Sequence, residues 1–268
     1  MNARRRIAVT GATGRVGRPL VQLLEDSGHE VIAISRSHRV DLISREGLEE
    51  ALTGVDTIIE AATGPSPEQD AATEFFLTAA HNLHEVGGRA GVRRIVLVSI
   101  IGCDRFRGGG AFGGYYVAKT AQEKALRDGP IPTRILRAAQ FHEFVGQLLD
   151  WTTDGDAAHL PAMRTQLIAA RSVAEALADL ATSPDGAEDG ATIAEIAGPR
   201  AERLIDMARL LAECRGAPSR VEETTDSEDP DRGLLAGDGL LPGPQATLAG
   251  PTFEEWLNSP AAVEAGVR

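Results

Sequence analysis

The sequence predicts an α/β fold, a doubly wound parallel sheet covered by helices, and three observations predict it. Short apolar runs alternate with segments of helical spacing through the first half of the 268 residues. A glycine-spaced turn, Gly11-x-x-Gly14-x-x-Gly17, joins the first run to the first amphipathic segment. Each apolar run is separated from the next by a crossover, which parallel strands require.

The elements follow in order. Ile7–Thr10 reads as a buried strand, and Arg15–Ser27 as a helix with Val16, Leu20, Leu23 and Leu24 on one face and Gly28 as its stop. Val31–Ile34 is the next strand, and Asp41–Leu42 a very short third. Glu46–Leu52 is a helix ended by Gly54, followed by a strand over Thr57–Ala62. A long helix spans Ala71–Gly87, a strand Ile95–Ser99, a helix Tyr115–Arg127 and a strand Thr133–Arg137. Beyond Gln140 the pattern weakens. Helices are expected at Phe141–Trp151, Val173–Thr182 and Leu204–Cys214, and strands at Arg164–Ala169 and Thr192–Ile196. Residues 222–231 read as an acidic, solvated loop. Leu240–Pro251 is dense in Gly and Pro, and Phe253–Leu257 is a short amphipathic piece. The division expected is a core over 1–140 and a C-terminal region over 141–268 that covers the open sheet edge and shapes a substrate pocket.

The formal net charge is −12, the wrong sign for a general nucleic-acid binder. The basic residues at 1–6 precede only Ile7–Val9, too short for an export signal or a membrane span, so a cytoplasmic protein is expected. Cys103 and Cys214 allow one disulfide arithmetically, but thiols are expected in a reducing compartment. No His/Cys cluster has metal-ligand spacing, so no metal is expected.

The turn Thr10–Gly17 aims backbone N–H groups and a positive helix end outward, where a pyrophosphate is the natural occupant. Gly11 permits the tight turn, Gly14 the close approach of phosphate, and Gly17 the packing of helix on strand. Thr13, Arg15 and Val16 complete that cradle. At the end of the second strand an acidic residue would select NAD. This chain has Ser35-Arg36-Ser37-His38 instead. Arg36 suits a 2′-phosphate, with Ser35 or Ser37 adding a hydroxyl, so NADP(H) is favoured over NAD(H). Asp41, with Leu42 beside it, is placed toward the adenine.

Tyr115 and Lys119 are four apart and share a helix face. A neighbouring ammonium and an oxidised nicotinamide would favour the phenolate, and Lys119 would also hold the nicotinamide ribose. Tyr116, three from Lys119, leaves the donor's identity open. Ser99 ends its strand where ligands gather in open sheets, as a substrate-binding hydroxyl or as a cap. Gly102–Gly114 is either a mobile lid or a plain surface loop. His142 reads as a structural residue.

These residues carry a likeness. The chain resembles the short-chain dehydrogenase/reductase superfamily, and within it the atypical, NmrA-like NAD(P)H-binding branch. The resembling pieces are Thr10–Gly17, Gly54-Val55-Asp56, Ala61-Ala62-Thr63, Asn82-Leu83, Gly91–Ser99, Tyr115–Lys119 and Leu136–Phe144. The resemblance implies a Rossmann-like core with a small C-terminal substrate-binding region. It implies phosphate contacts from Gly11, Thr13, Gly14 and Gly17, and a 2′-phosphate on Arg36. It also implies that Ala61, Ala62 and Thr63 line the ribose and nicotinamide side, and that Ser99, Tyr115 and Lys119 are the catalytic set. Gln140 and Phe141 would border nicotinamide and substrate. The activity expected is NADPH-dependent reduction of a carbonyl or quinone-like small molecule by a monomer or homodimer. The alternatives are an NADP(H)-reading regulator without turnover and a redox-neutral epimerase or dehydratase.

Overall fold

The computed structural model describes residues 4–184 and 193–267. Its first half runs β1 (Arg6–Thr10), α1 (Gly17–Asp26), β2 (Glu30–Ile34), α2 (Leu48–Leu52), β3 (Thr57–Glu60), α3 (Gln69–Ala90), β4 (Arg94–Ile100), α4 (Gly110–Arg127) and β5 (Thr133–Ala138). There follow α5 (His142–Thr152), β6 (Thr153–Asp154), β7 (Ala157–Pro161), β8 (Arg164–Thr165), α6 (Ala170–Thr182) and β9 (Ile193–Ala197). The chain closes with β10 (Glu202–Arg203), α7 (Leu204–Arg215), β11 (Arg220–Thr224), α8 (Arg232–Ala236), β12 (Thr247–Leu248), α9 (Phe253–Leu257) and α10 (Pro260–Glu264).

Seven strands form one sheet in the order β12-β9-β5-β4-β3-β1-β2. The pairs β1–β2, β1–β3, β3–β4 and β9–β12 are parallel. Ile7, Ala8, Val9, Ile58, Ile59, Ile95, Val96 and Leu97 are fully buried, the uninterrupted apolar runs of strands covered on both faces. After β1 the chain lays β2 on one side and β3 on the other. The order therefore reverses between β1 and β3, and ligands of open α/β sheets bind at such a switch point.

Two compact units are distinguishable, and both draw on both sides of residue 140. One comprises Met1–Ser99, Gly114–Arg137 and Val173–Ala194; the other comprises Ile100–Gly113, Ala138–Ser172 and Glu195–Arg268. In the first, Arg5 and Arg94 donate to the Ser183 carbonyl just past α6, at 3.0 and 3.2 Å, and Arg134 bonds the Ser183 hydroxyl. In the second, β11-β7-β6 and β10-β8 form two small sheets. Cys103 is buried and Cys214 exposed, and no disulfide joins them.

Several expectations are corrected. Asp41–Leu42 is not a strand: Asp41 Oδ1 accepts the N–H groups of Ile43 (2.7 Å) and Ser44 (2.9 Å), which turns the chain locally. Of Arg164–Ala169 only Arg164–Thr165 is extended in a ladder, plus one bridge from Ile168 to Phe141. Thr192 of the late strand lies outside the described residues; the strand itself is Ile193–Ala197. The glycine segment is not a loop throughout, because α4 already starts at Gly110. Nor is 222–231 wholly a solvated loop. Arg220–Thr224 is a strand, and Asp229 and Asp231 are buried, at 6% and 1% exposure. Asp231 Oδ2 accepts the N–H groups of Arg107 (3.0 Å) and Gly109 (3.3 Å).

Candidate functional site

The site grows from the end of β1. Gly11 has φ of +62°, and a Cβ there would lie 2.5 Å from the Ala61 carbonyl oxygen at the end of β3. Gly14 N–H closes the turn on the Gly11 carbonyl at 2.8 Å. A Cβ on Gly17 would lie 2.1 Å from that same oxygen, so α1 can begin this close to the turn only with glycine there. The helix N-terminus has no side-chain cap and no acidic residue in its first turn. An open turn and an uncapped, positive helix end fit a pyrophosphate.

A cavity of about 680 Å³ opens beside this turn. Of the predicted residues, Gly11, Thr13, Gly14, Ser35, Arg36, Asp41, Leu42, Ala61, Ala62 and Thr63 line it. Arg15, Val16 and Gly17 lie in the turn but not on this wall. Arg36 is exposed at the mouth, within a polar group in which Ser35 Oγ meets Ser37 Oγ at 2.9 Å and His38 Nδ1 at 2.7 Å. Main-chain donors hold the Asp41 carboxyl below the usual carboxylate range, first that of Ser44. The wall at Leu42 and Ile43 is tied down by Asn82 of α3. Its Nδ2 donates to their carbonyls at 2.6 and 3.1 Å, and its Oδ1 accepts from Arg45 Nε at 2.7 Å.

Ser99, Tyr115 and Lys119 belong to the same unit as this cavity but do not line it. Ser99 is 2% and Lys119 5% exposed. The Tyr115 ring packs edge-on to Phe76 of α3 at 5.8 Å, and Lys119 Nζ lies 4.9 Å from the centre of the same ring. One aromatic ring thus touches both residues, as their common face on α4 requires. Burial pushes the Tyr115 phenol up to about 12, opposite in sign to the pull expected of a neighbouring ammonium and an oxidised nicotinamide, so the phenol is protonated at neutral pH. Gln140 and Phe141 lie in the other unit, where Gln140 accepts from the Thr165 hydroxyl and Phe141 precedes α5. His142 is buried between Phe253 and Trp256, its Nε2 bonding the Pro251 carbonyl at 3.1 Å.

Sequence reasoning missed Glu60. It ends β3 at 1% exposure. Its Oε2 accepts from Thr10 Oγ1 at 2.6 Å, and its Oε1 faces Ala62 N at 3.3 Å and Gln122 Nε2 at 3.5 Å. Burial pushes its carboxyl above the usual range. A signal was available: a carboxylate closes the otherwise apolar run Thr57-Ile58-Ile59-Glu60, and buried charges need a reason.

A doubly wound sheet with a glycine turn and cavity at its switch point defines a dinucleotide-binding protein. The chain belongs to the NAD(P)H-binding family, whose profile matches residues 37–184. That agrees with the likeness to short-chain dehydrogenases/reductases. L-arabinose 1-dehydrogenase (NAD(P)(+)) of Haloferax volcanii is 34% identical over 103 residues, 35% of this chain and 40% of that protein. Photosystem II assembly factor Ycf39 of Synechocystis is 27% identical over 110 residues, 36% of this chain and 34% of that one. The matched stretches thus span well under half of each relative's length. Among solved structures, MoeE5 in complex with UDP-glucose and NAD aligns over 93% of this chain and 95% of its own, with TM-score 0.66 and 21% identity. The Bordetella bronchiseptica enzyme WbmG in complex with NAD and UDP aligns over 99% and 97%, with TM-score 0.69 and 15% identity. At these identities the likeness shows the fold.

Proposed function

We propose that this protein is an NADPH-dependent reductase of a small carbonyl or quinone-like compound. The observation that carries the reading is the pairing of Tyr115 and Lys119 on one ring of α3, in the unit that also holds the Arg36 cavity. In this reading Arg36 and the Ser35/Ser37 hydroxyls hold the 2′-phosphate, and the Gly11–Gly17 turn holds the pyrophosphate. When bound, the cofactor supplies a hydride. The protein's own part is to keep the Tyr115 proton ready for the substrate oxygen. A phenol pushed up to about 12 stays protonated through the neutral range, the state a donor needs. Lys119 holds the nicotinamide ribose and carries the charge that eases proton release. Ser99 orients the substrate oxygen. The same reading takes the protein as cytoplasmic, a monomer or homodimer acting on a small molecule, without nucleic-acid or membrane partners.

The test is NADPH consumption across a panel of aldehydes, ketones and quinones, with Tyr115→Phe beside the wild type. Turnover should fall by about 10²–10⁴-fold while NADPH affinity holds. Undiminished turnover in the variant would remove the mechanism. The burial of Tyr115 favours one second reading, a regulator that senses NADP(H). Saturable binding with no consumption on any substrate would select it.

A further inference from the structure

A chain of polar contacts runs from the glycine turn to Lys119. Lys119 Nζ donates to the Val98 carbonyl at 2.9 Å and to Gln122 Oε1 at 2.5 Å. Gln122, itself 1% exposed, presents Nε2 to Glu60 Oε1 at 3.5 Å. Glu60 Oε2 then accepts from Thr10 Oγ1, and that oxygen accepts the Ala61 N–H at 3.1 Å. Thr10 immediately precedes Gly11, and Ala61 and Ala62 line the cavity.

The donor and acceptor inventory fixes the direction of every link. An ammonium only donates, so the Gln122 carbonyl oxygen must face Lys119. The amide nitrogen must then face Glu60, and a nitrogen needs an acceptor there. Around the Glu60 carboxyl stand the Thr10 hydroxyl from β1, the Ala62 amide that follows β3 and the Gln122 amide from α4. All three present hydrogens. An apolar residue at 60 would leave the Ala62 and Gln122 N–H groups bare, whereas a glutamine could keep its carbonyl oxygen toward both and turn its NH₂ to the Thr10 hydroxyl, which also reaches the Ile59 carbonyl. Lys119 is the cation acting on this carboxyl.

We propose that Glu60, acting through Gln122, is a positioning residue for Lys119: the carboxylate fixes the amide, and the amide holds the ammonium beside the end of β4. The ammonium then stands preset for the nicotinamide ribose, at no cost in ordering a four-carbon side chain when cofactor arrives. The chain of contacts also ties Lys119 to the strand that carries the phosphate turn. This inference rests on the reading of Lys119 as the ribose-holding residue.

The experiment compares two ligands by calorimetry. NADPH engages both ends of the site, and adenosine 2′,5′-bisphosphate engages only Arg36 and the glycine turn, not Lys119. Gln122→Leu, and separately Glu60→Met, should weaken NADPH about tenfold, the worth of one charge-assisted hydrogen bond. Both should leave the bisphosphate within about twofold. In a Lys119→Met background Gln122→Leu should cost nothing further, because the lost contact acts through the missing ammonium. Additive losses in that background, equal losses for both ligands, or unchanged NADPH affinity would each overturn the proposal. Glu60→Met, close in volume to the original but with no acceptor, carries the test if Gln122→Leu does not fold. A wild-type protein that binds no NADPH would instead overturn the cofactor reading itself.

Discussion

Arg36 stands at the end of β2, where a carboxylate would accept hydrogen bonds from the unphosphorylated ribose of NAD. The residue is exposed and lines the cavity, next in sequence to the hydrogen-bonded Ser35, Ser37 and His38 side chains. Replacing it should cost NADPH and not NADH. Arg36→Ala is expected to raise the NADPH dissociation constant about 10–100-fold, as expected for a charge-assisted contact with phosphate, and to leave NADH within about twofold. Parallel fluorescence titrations with the two coenzymes check this, and equal losses for both would remove the assignment of Arg36. Asp41 shows the opposite lesson at the same scale. A residue chosen for its reach toward a ligand commits one carboxylate oxygen to two main-chain N–H groups of its own loop.

At the scale of elements, the contacts of α1 and α4 explain the glycines at their starts. A Cβ at Gly17 would meet backbone, the Gly11 oxygen at 2.1 Å, and backbone does not step aside as a flexible side chain does. Gly17→Ala should therefore lower stability by roughly 1–3 kcal/mol and weaken NADPH binding together, read by urea unfolding and titration. Wild-type stability in that variant would show that α1 can move off the turn. The approach to α4 is held differently. Asp231, 1% exposed, accepts two main-chain N–H groups from 107–109 just before the helix. Asp231→Ala strands both donors and should cost about 2–3 kcal/mol in the same unfolding experiment. Asp231→Asn, which keeps one acceptor oxygen, should cost less. The long α3 needs no such help, since Ala72, Phe76, Ala79, Ala80, Leu83 and Val86 recur on one buried face. Gly91, at φ +79°, closes that helix in the left-handed region.

For the whole molecule, the buried His142 ties stability to pH. Its ring nitrogen Nδ1 has no hydrogen-bond partner, and burial pushes the imidazole down from 6.5 to about 4. Folding therefore favours the neutral ring. The contribution is complete above pH 6.5, shrinks as pH falls, and is gone below about 4. Each tenfold loss of proton affinity on folding is worth about 1.4 kcal/mol, so the stability lost across that window is about 3 kcal/mol. His142→Phe, which keeps an aromatic ring beside Phe253 and Trp256, should flatten the fall between pH 6.5 and about 4 in urea titrations. An unchanged slope would mean that other groups drive acid unfolding. No helix among the described residues is long and apolar enough to cross a membrane.

The sequence by itself determined the layers and the turn. Apolar strand runs, helix periodicity and glycine spacing are local patterns, so β1 through β5 were legible to within two residues, with one false strand at Asp41–Leu42. So was Gly11–Gly17, because a left-handed or Cβ-free position leaves its mark in residue type alone. The common face of Tyr115 and Lys119 followed from a separation of four. Only the tertiary structure decided what lies between segments far apart in the chain. It set Glu60 against Thr10 and Gln122, Asp231 under the backbone of Arg107 and Gly109, and Asn82 behind the Leu42 wall. It also decided that two aspartates of an acidic stretch, Asp229 and Asp231, are buried, and that Phe76, on a different helix, packs against Tyr115. The physical reason is that a charge's cost and a phenol's proton affinity depend on what surrounds them. Those surroundings come from packing, which no single window of sequence contains.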